Sequence, residues 1–163
     1  MGDRFADDLI ALLPNLKRFA MSLCRSPDMA DDLVQVTVER AFAARDRYDP
    51  ATRLEPWLFR ILRNARIDMA RRTRTRGAEI DIADAPDAAP VDGERSVESR
   101  LMLSAVQAAM ADLADDHRMV MHLVCVEELS YAETAAVLGI PTGTVMSRLA
   151  RARVALARAL GIG

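Results

Sequence analysis

The sequence predicts an all-α protein made of two small helical domains joined by an acidic linker, and three observations predict it. Apolar residues make up 51% of the chain but aromatics only 4%, so the core must be built from Leu, Val, Ile, Met and Ala, a mixture that favours helices. Apolar positions recur at three- and four-residue spacing through most of the chain, the helical period. Between the periodic parts, "GAEIDIADAPDAAPVDGE" (77–94) holds two of the seven prolines and two of the seven glycines among small and acidic residues. Such a stretch buries too little apolar surface to offset the entropy of ordering it. The expected organisation is a domain at 1–76, a flexible linker at 77–96 and a second domain at 97–163. A length of 163 residues accommodates two small domains, each with a modest core.

The formal net charge of −2 conceals a strong asymmetry. Residues 1–76 carry 15 Arg and Lys against 11 Asp and Glu, residues 77–99 carry one Arg against seven acids, and residues 100–163 carry six of each. The densest basic stretch, "RILRNARIDMARRTRTR" (60–76), has seven arginines and one acid. Acid collects in the linker, and base collects on one helix.

The first helix covers Phe5–Cys24, kinked or restarted at Pro14. A second follows "SPD" (26–28), with Pro27 punctuating the turn, and runs to about Arg45. On it Ala30, Leu33, Val34, Thr37, Val38 and Ala41 form a core-facing stripe. Asp31, Asp32, Gln35 and Glu39 form an acidic strip opposite, and Val36 beside them hints at a docking surface; a solvated charged face is the competing explanation. The loop "RYDPATR" (47–53) sets Tyr48 beside a basic helix, where it either stacks an unpaired base or caps the core.

The third helix begins within "TRLEPW" (52–57). Either Thr52 and Glu55 form a capping box there or Pro56 marks the first turn. Trp57, Leu58, Ile61, Leu62, Ala65 and Met69 make its buried face, and Arg60, Arg63, Asn64, Ile67, Arg71 and Arg74 share another. Guanidinium groups grip phosphates and an amide can bond a base edge, so this face is a nucleic-acid surface in outline.

The second domain starts near Val97 with one helix, followed by an apolar segment at 115–129. Ser130 and Glu133 have capping-box spacing at the head of "YAETAAVLG", and Gly139 suits a left-handed turn position. Ile140 plugs the core, and Pro141 fits the first turn of the next helix. There Val145, Leu149, Ala152 and Leu156 point inward, while Thr144, Ser147, Arg148 and Arg151 point outward. From Thr142 to Gly163 there are four arginines and no acid. The pattern is a helix-turn-helix with a DNA-reading second helix, whose first-turn amides also face phosphate.

Other chemistry is sparse. His122 and Cys125 lie one helical turn apart, but His117 points elsewhere and no fourth ligand follows, so no metal site is expected. Cys24 and Cys125 fit no disulfide framework. No phosphate-binding glycine loop and no nucleophile–base pair stands at a recognisable spacing, so neither a cofactor nor an enzyme is expected. No apolar run approaches the roughly 20 residues that span a bilayer, and "MGDRFADDLI" has no signal-peptide layout, so a cytoplasmic protein without membrane insertion is expected.

"DMADDLVQVTVERAF" (28–42), "WLFRILRNARIDMARR" (57–72) and "LSYAETAAVLGIPTGTVMSRLARAR" (129–153) together resemble a bacterial extracytoplasmic-function sigma factor over almost the whole chain. The resemblance implies a first domain of the region 2 type and a second of the region 4 type. It also implies docking of Asp31, Asp32, Leu33, Val34 and Gln35 on the β′ clamp helices of core RNA polymerase, with β as a further contact. It further implies −10 promoter contacts by Tyr48, Arg53, Arg60, Arg63, Asn64 and Arg71, with the loop from Tyr48 to Arg53 receiving a flipped base. Thr142, Thr144, Ser147, Arg148 and Arg151 would read the −35 element, the acidic linker would thread polymerase channels, and an anti-sigma factor would be a further partner. The sequence departs from the family at Val36, where Glu is usual, and at Pro56, where a small or hydroxylated residue is usual. Two other readings stay open: a stand-alone helix-turn-helix regulator, and a sigma mimic that sequesters an anti-sigma factor.

Overall fold

A computed structural model describes residues 2–75 and 96–162. The expected 77–96 linker lies outside the described residues, apart from Ser96, which caps the next helix. Among the described residues all regular structure is helical.

The first bundle contains α1 (Arg4–Ala11), α2 (Leu13–Leu23), α3 (Pro27–Ala43) and α4 (Leu54–Thr75). Asp3 caps α1 by accepting from the Phe5 and Ala6 amides. The chain restarts after Leu12 with Pro14 in the first turn of α2, where a missing N–H breaks no helical bond. Pro27 occupies the first position of α3 behind a Ser26 cap, so it belongs to the helix and not to the turn. The Thr52–Glu55 capping box does not form: Thr52 donates its hydroxyl to the Asp49 carbonyl, and Pro56 lies in the first turn of α4. Phe19, Leu33, Leu58, Phe59 and Leu62 are fully buried in this bundle.

The second bundle contains α5 (Val97–Ala111), α6 (Asp115–Met121), α7 (Tyr131–Leu138) and α8 (Thr142–Leu160). The Ser130–Glu133 capping box heads α7. Gly139 ends α7 at φ 65°, and the Ile140 amide reaches back to the Ala135 carbonyl, closing a Schellman turn. Pro141 precedes α8 rather than lying within it. After α6 the chain widens into a π-helical turn, His122–Val126, in which the Glu127 amide bonds the His122 carbonyl five residues back. Glu128 follows at φ 58°, the only non-glycine residue with positive φ among those described.

The two bundles are not separate bodies. Their buried side chains form one hydrophobic cluster, with α7 against α4 and with α6 and the π-helical turn against α2. Phe19 of α2 meets Phe59 edge-on at 5.4 Å and stacks on His122 of the second bundle, also at 5.4 Å. Three ionic contacts cross the seam: Arg18 to Glu127, Arg53 to Glu133 and Arg66 to Asp115.

Gly139→Ala meets no steric neighbour but forces a β-carbon into the left-handed region, so urea denaturation should show a loss of about 1–2 kcal/mol. Burial pushes the Glu127 carboxyl up, but hydrogen bonds from His122 and Arg18 outweigh it and hold the group below its ordinary value of 4.5. A folded-state pKa below the unfolded one stabilises above about pH 4.5, and that contribution is lost as pH falls through the folded value. Wild type should therefore exceed Glu127→Gln by about 1–3 kcal/mol at neutral pH, with the gap shrinking on acidification below pH 4.5.

Candidate nucleic-acid interface

The chain's arginines divide by partner. Those that hold the fold are paired: Arg45 binds Asp3 through two contacts of 2.8 and 2.9 Å, Arg40 binds Asp68 at 2.8 Å, and Arg118 binds Asp115. By contrast Arg60, Arg71, Arg72 and Arg74 on α4 form no ion pair with any described residue. Arg151, Arg153 and Arg158 on α8 are equally uncommitted. At about 100° per residue Arg60, Arg71 and Arg74 share one face of α4 and Arg151 and Arg158 one face of α8, so unneutralised guanidiniums gather where an external anion can meet them.

On α4, Arg60, Asn64 and Arg71 are exposed, as a DNA-facing row requires. Arg63 differs from expectation: it is half-buried, its Nε is enclosed without a partner, and its Nη1 donates to Asn64 Oδ1 at 3.4 Å. Arg53, at the head of α4, reaches both Glu133 oxygens at 3.0 Å and so faces the second bundle.

Tyr48 is held by packing. Its ring lies 5.2 Å from Trp57 and 6.0 Å from Phe5, and its hydroxyl donates to the Thr52 carbonyl. Burial, with Asp8, Glu55 and Asp49 nearby, raises its phenol above the ordinary value. The core-capping alternative matches this placement, and the ring stiffens the loop from Tyr48 to Arg53.

On α8 the three- and four-residue spacing holds: Val145, Leu149 and Ala152 are buried. Thr142, Ser147 and Arg151 are exposed, and Thr144 and Arg148 are half-buried. Ser147 donates back to the Thr144 carbonyl at 3.2 Å, and Arg148 lies 3.8 Å from Asp116, a loose contact that a phosphate can displace. Arg151 and Arg158 flank a shallow groove floored by Ala150, Val154 and Ala155.

The acidic strip of α3 faces solvent at Asp31, Asp32, Gln35 and Glu39, with Asp31 3.1 Å from Lys17. Leu33 is fully buried and Val34 half-buried, so Leu33 shapes the strip from beneath. Val36 is half-buried and packs partly against the core.

The residues that pattern reading missed are those at the seam. Glu127, with a side chain 1% exposed, accepts from Asn15 Nδ2 at 3.0 Å and from Arg18 Nε and Nη2 at 3.3 Å each. His122 Nε2 completes the set at 3.1 Å; an ionised carboxylate only accepts, so this nitrogen carries the proton. The structure thus puts His122 in the core. No group of three or more His, Cys, Asp or Glu side chains among the described residues is placed to hold a metal. Cys24 is buried, which raises its thiol pKa, and Cys125 is exposed. No helix of the described residues is long and apolar enough to cross a membrane.

Residues 9–76 match the family model of Sigma-70 region 2, and residues 103–156 match that of Sigma-70, region 4. Across 161 residues the chain is 38% identical to the ECF RNA polymerase sigma factor EcfG of Rhodopseudomonas palustris, covering 98% of this chain and 87% of that one. The chain belongs to the ECF sigma factors. This ECF sigma factor is also 33% identical to the RNA polymerase sigma factor CarQ of Myxococcus xanthus, over 98% of this chain and 90% of that one. Among solved structures it resembles the sigma factor RpoE of Bartonella quintana, crystallised with the anti-sigma factor NepR. The TM-score is 0.76 at 34% identity, with 97% of both chains covered. The two bundles correspond to regions 2 and 4, and the arginine rows lie one on each.

Exchange of uncommitted for paired arginines gives a direct test. Arg60→Ala and Arg71→Ala should each weaken binding to promoter DNA in the polymerase complex and reduce the salt dependence of binding by about one unit of slope. Arg40→Ala should instead lower the thermal midpoint and leave the salt slope unchanged.

Proposed function

We propose that this ECF sigma factor directs core RNA polymerase to promoters by reading two DNA elements, −10 through α4 and −35 through α8, and that it is not itself an enzyme. The observation that supports the residue assignment is the clustering of arginines without an ion-pair partner: Arg60, Arg71, Arg72 and Arg74 on α4 and Arg151, Arg153 and Arg158 on α8, against isolated Arg25 and Arg47 elsewhere among the described residues. Arg60, Asn64 and Arg71 would contact the −10 element, supported by Arg63 and reached last by Arg53. Thr142, Thr144, Ser147, Arg148 and Arg151 would meet the −35 element. The solvent-facing Asp31, Asp32 and Gln35, shaped by Leu33 and Val34, would dock on the basic β′ clamp helices, with further contact to β. Activity alongside RNA polymerase puts the protein in the cytoplasm.

The span of a promoter adds a constraint. Elements named −10 and −35 lie about 25 base pairs apart, on the order of 85 Å at 3.4 Å per base pair. A compact chain of this length has a radius of gyration of roughly 15 Å, so packed bundles cannot reach both elements together. Polymerase must hold the bundles apart, and the free protein would then bind promoter DNA weakly. The Bartonella quintana relative is bound by an anti-sigma factor, and a comparable protein would control this chain by holding the bundles together. A sigma mimic has no use for the uncommitted arginines, which favours the promoter-reading role.

In vitro transcription with core polymerase on a promoter pool tests this reading. Wild type should select a subset of promoters. Arg148→Ala or Arg151→Ala should cost about 1–3 kcal/mol at −35 sequences where the side chain reads a base. Undiminished transcription from the selected promoters in both variants would contradict the assignment.

A further inference from the structure

We propose that α1 is a brace for promoter reading: Asp3 and Phe5 are positioning residues that fix the loop from Tyr48 to Arg53 in the shape that receives an unpaired base. This rests on the reading of that loop as part of the −10 interface.

Little of the loop holds itself to the bundle. Asp49, Pro50, Ala51, Thr52 and Arg53 are all exposed, and Tyr48 alone is half-buried. The local bonds stay within the turn: the Ala51 amide donates to Asp49 Oδ1 at 2.9 Å and the Thr52 hydroxyl to the Asp49 carbonyl at 2.8 Å. The Tyr48 ring anchors the turn, and its hydroxyl holds the far end through the Thr52 carbonyl. That ring lies between Phe5 and Trp57, and Phe5 in turn meets Trp57 at 6.0 Å and Phe42 at 5.6 Å. The chain has four Phe, two Tyr and one Trp, and four of these seven gather here. Phe5 is the member that touches the other three, so the packing of Tyr48 depends on a ring delivered by α1.

Asp3 fixes the same ring from the helix end. Its carboxylate caps α1 at the Phe5 and Ala6 amides and also takes the Arg45 fork at 2.8 and 2.9 Å. Arg45 opens the 3₁₀ turn (Arg45–Arg47) that leads directly into Tyr48, and its guanidinium lies 5.1 Å from the centre of the Phe5 ring. The hydrogen bond from Arg45 holds the Asp3 carboxyl below its ordinary value, so the fork is intact at neutral pH. An exposed ion pair adds little to global stability. A two-pronged contact nevertheless sets both distance and angle between the start of α1 and the start of the loop. A pocket for one base needs its walls held to within about 0.5 Å by supporting side chains, and this contact supplies that support. Asp3 and Phe5 precede the residues matched to Sigma-70 region 2, which begin at residue 9, so the brace lies outside the matched pattern.

Trp57 is the chain's one tryptophan and lies in the cluster, so its fluorescence reads the brace in the full free chain. Phe5→Leu keeps an apolar side chain, and Asp3→Asn keeps a residue type that caps helices well. Each should raise acrylamide quenching of Trp57 by about 1.5-fold or more with unchanged helical circular dichroism. The second readout uses holoenzyme on a promoter that it transcribes, prepared with an unpaired −10 element and substituted one base at a time. Each variant should lower the wild-type preference at one unpaired −10 position by about threefold or more, with −35 preference and salt slope unchanged. Arg45→Gln should give the same loss, and combining it with Asp3→Asn should add little, because both remove one contact. If Phe5→Leu loses helix content, Asp3→Asn decides. Unchanged Trp57 quenching in Asp3→Asn would overturn the brace. Unchanged preference at every −10 position would overturn the positioning role, and so would an equal loss at −10 and −35 with a lowered thermal midpoint. A wild type without preference at any unpaired −10 position would instead refute the base-receiving role of the loop, and Trp57 quenching would still judge the brace.

Discussion

A carboxylate removed from water must be met by hydrogen-bond donors, and Glu127 has one, His122, in its own bundle and takes the rest, Asn15 and Arg18, from the other. Much of the molecule's arrangement follows from that requirement. A π-helical turn precedes Glu127 and a left-handed residue follows it. Arg18 and Asn15, two polar residues on a helix that otherwise buries Leu16, Phe19, Ala20 and Leu23, receive it. Around this polar centre the apolar surfaces of both bundles merge into one cluster. A polar contact ringed by apolar packing sets one register for the docking, because a shift takes the carboxylate from Arg18 and Asn15 and leaves it only His122.

Economy of charge explains how a chain of net charge −2 can read DNA. Most of its acids neutralise neighbours, crowd into residues 77–99 or face solvent on α3. The arginines left over are few, but they stand in rows on α4 and α8, where they add rather than cancel. Affinity from such rows is modest and salt-sensitive, which suits a subunit that shares the task of holding DNA with polymerase.

The fold and the charge pattern were both legible in the sequence, because each depends on residues near one another in the chain. Helix starts at Asp3, Ser26 and Ser130 come from side chains that bond amides two or three residues on, and the Gly139 turn comes from the φ only glycine adopts freely. The arginine row on α4 is a matter of helical period. Where two solutions competed, the sequence left the choice open and the structure made it: Thr52 bonds Asp49, with Pro56 in the first turn of α4, and Tyr48 packs on Phe5 and Trp57.

By itself the sequence determined the helices, the Ser130–Glu133 cap, the buried stripes and the helix faces on which arginines gather, since all of these follow from spacing within a segment. Only the tertiary structure decided which arginines are spent, that Arg63 turns inward, that His122 belongs to the core, and that Glu127 is buried at all. Glu127 and Glu128 are the same residue type side by side, yet one is buried and the other exposed. The difference is made by Arg18 and Asn15, which lie more than a hundred residues away and reach Glu127 only when the bundles close.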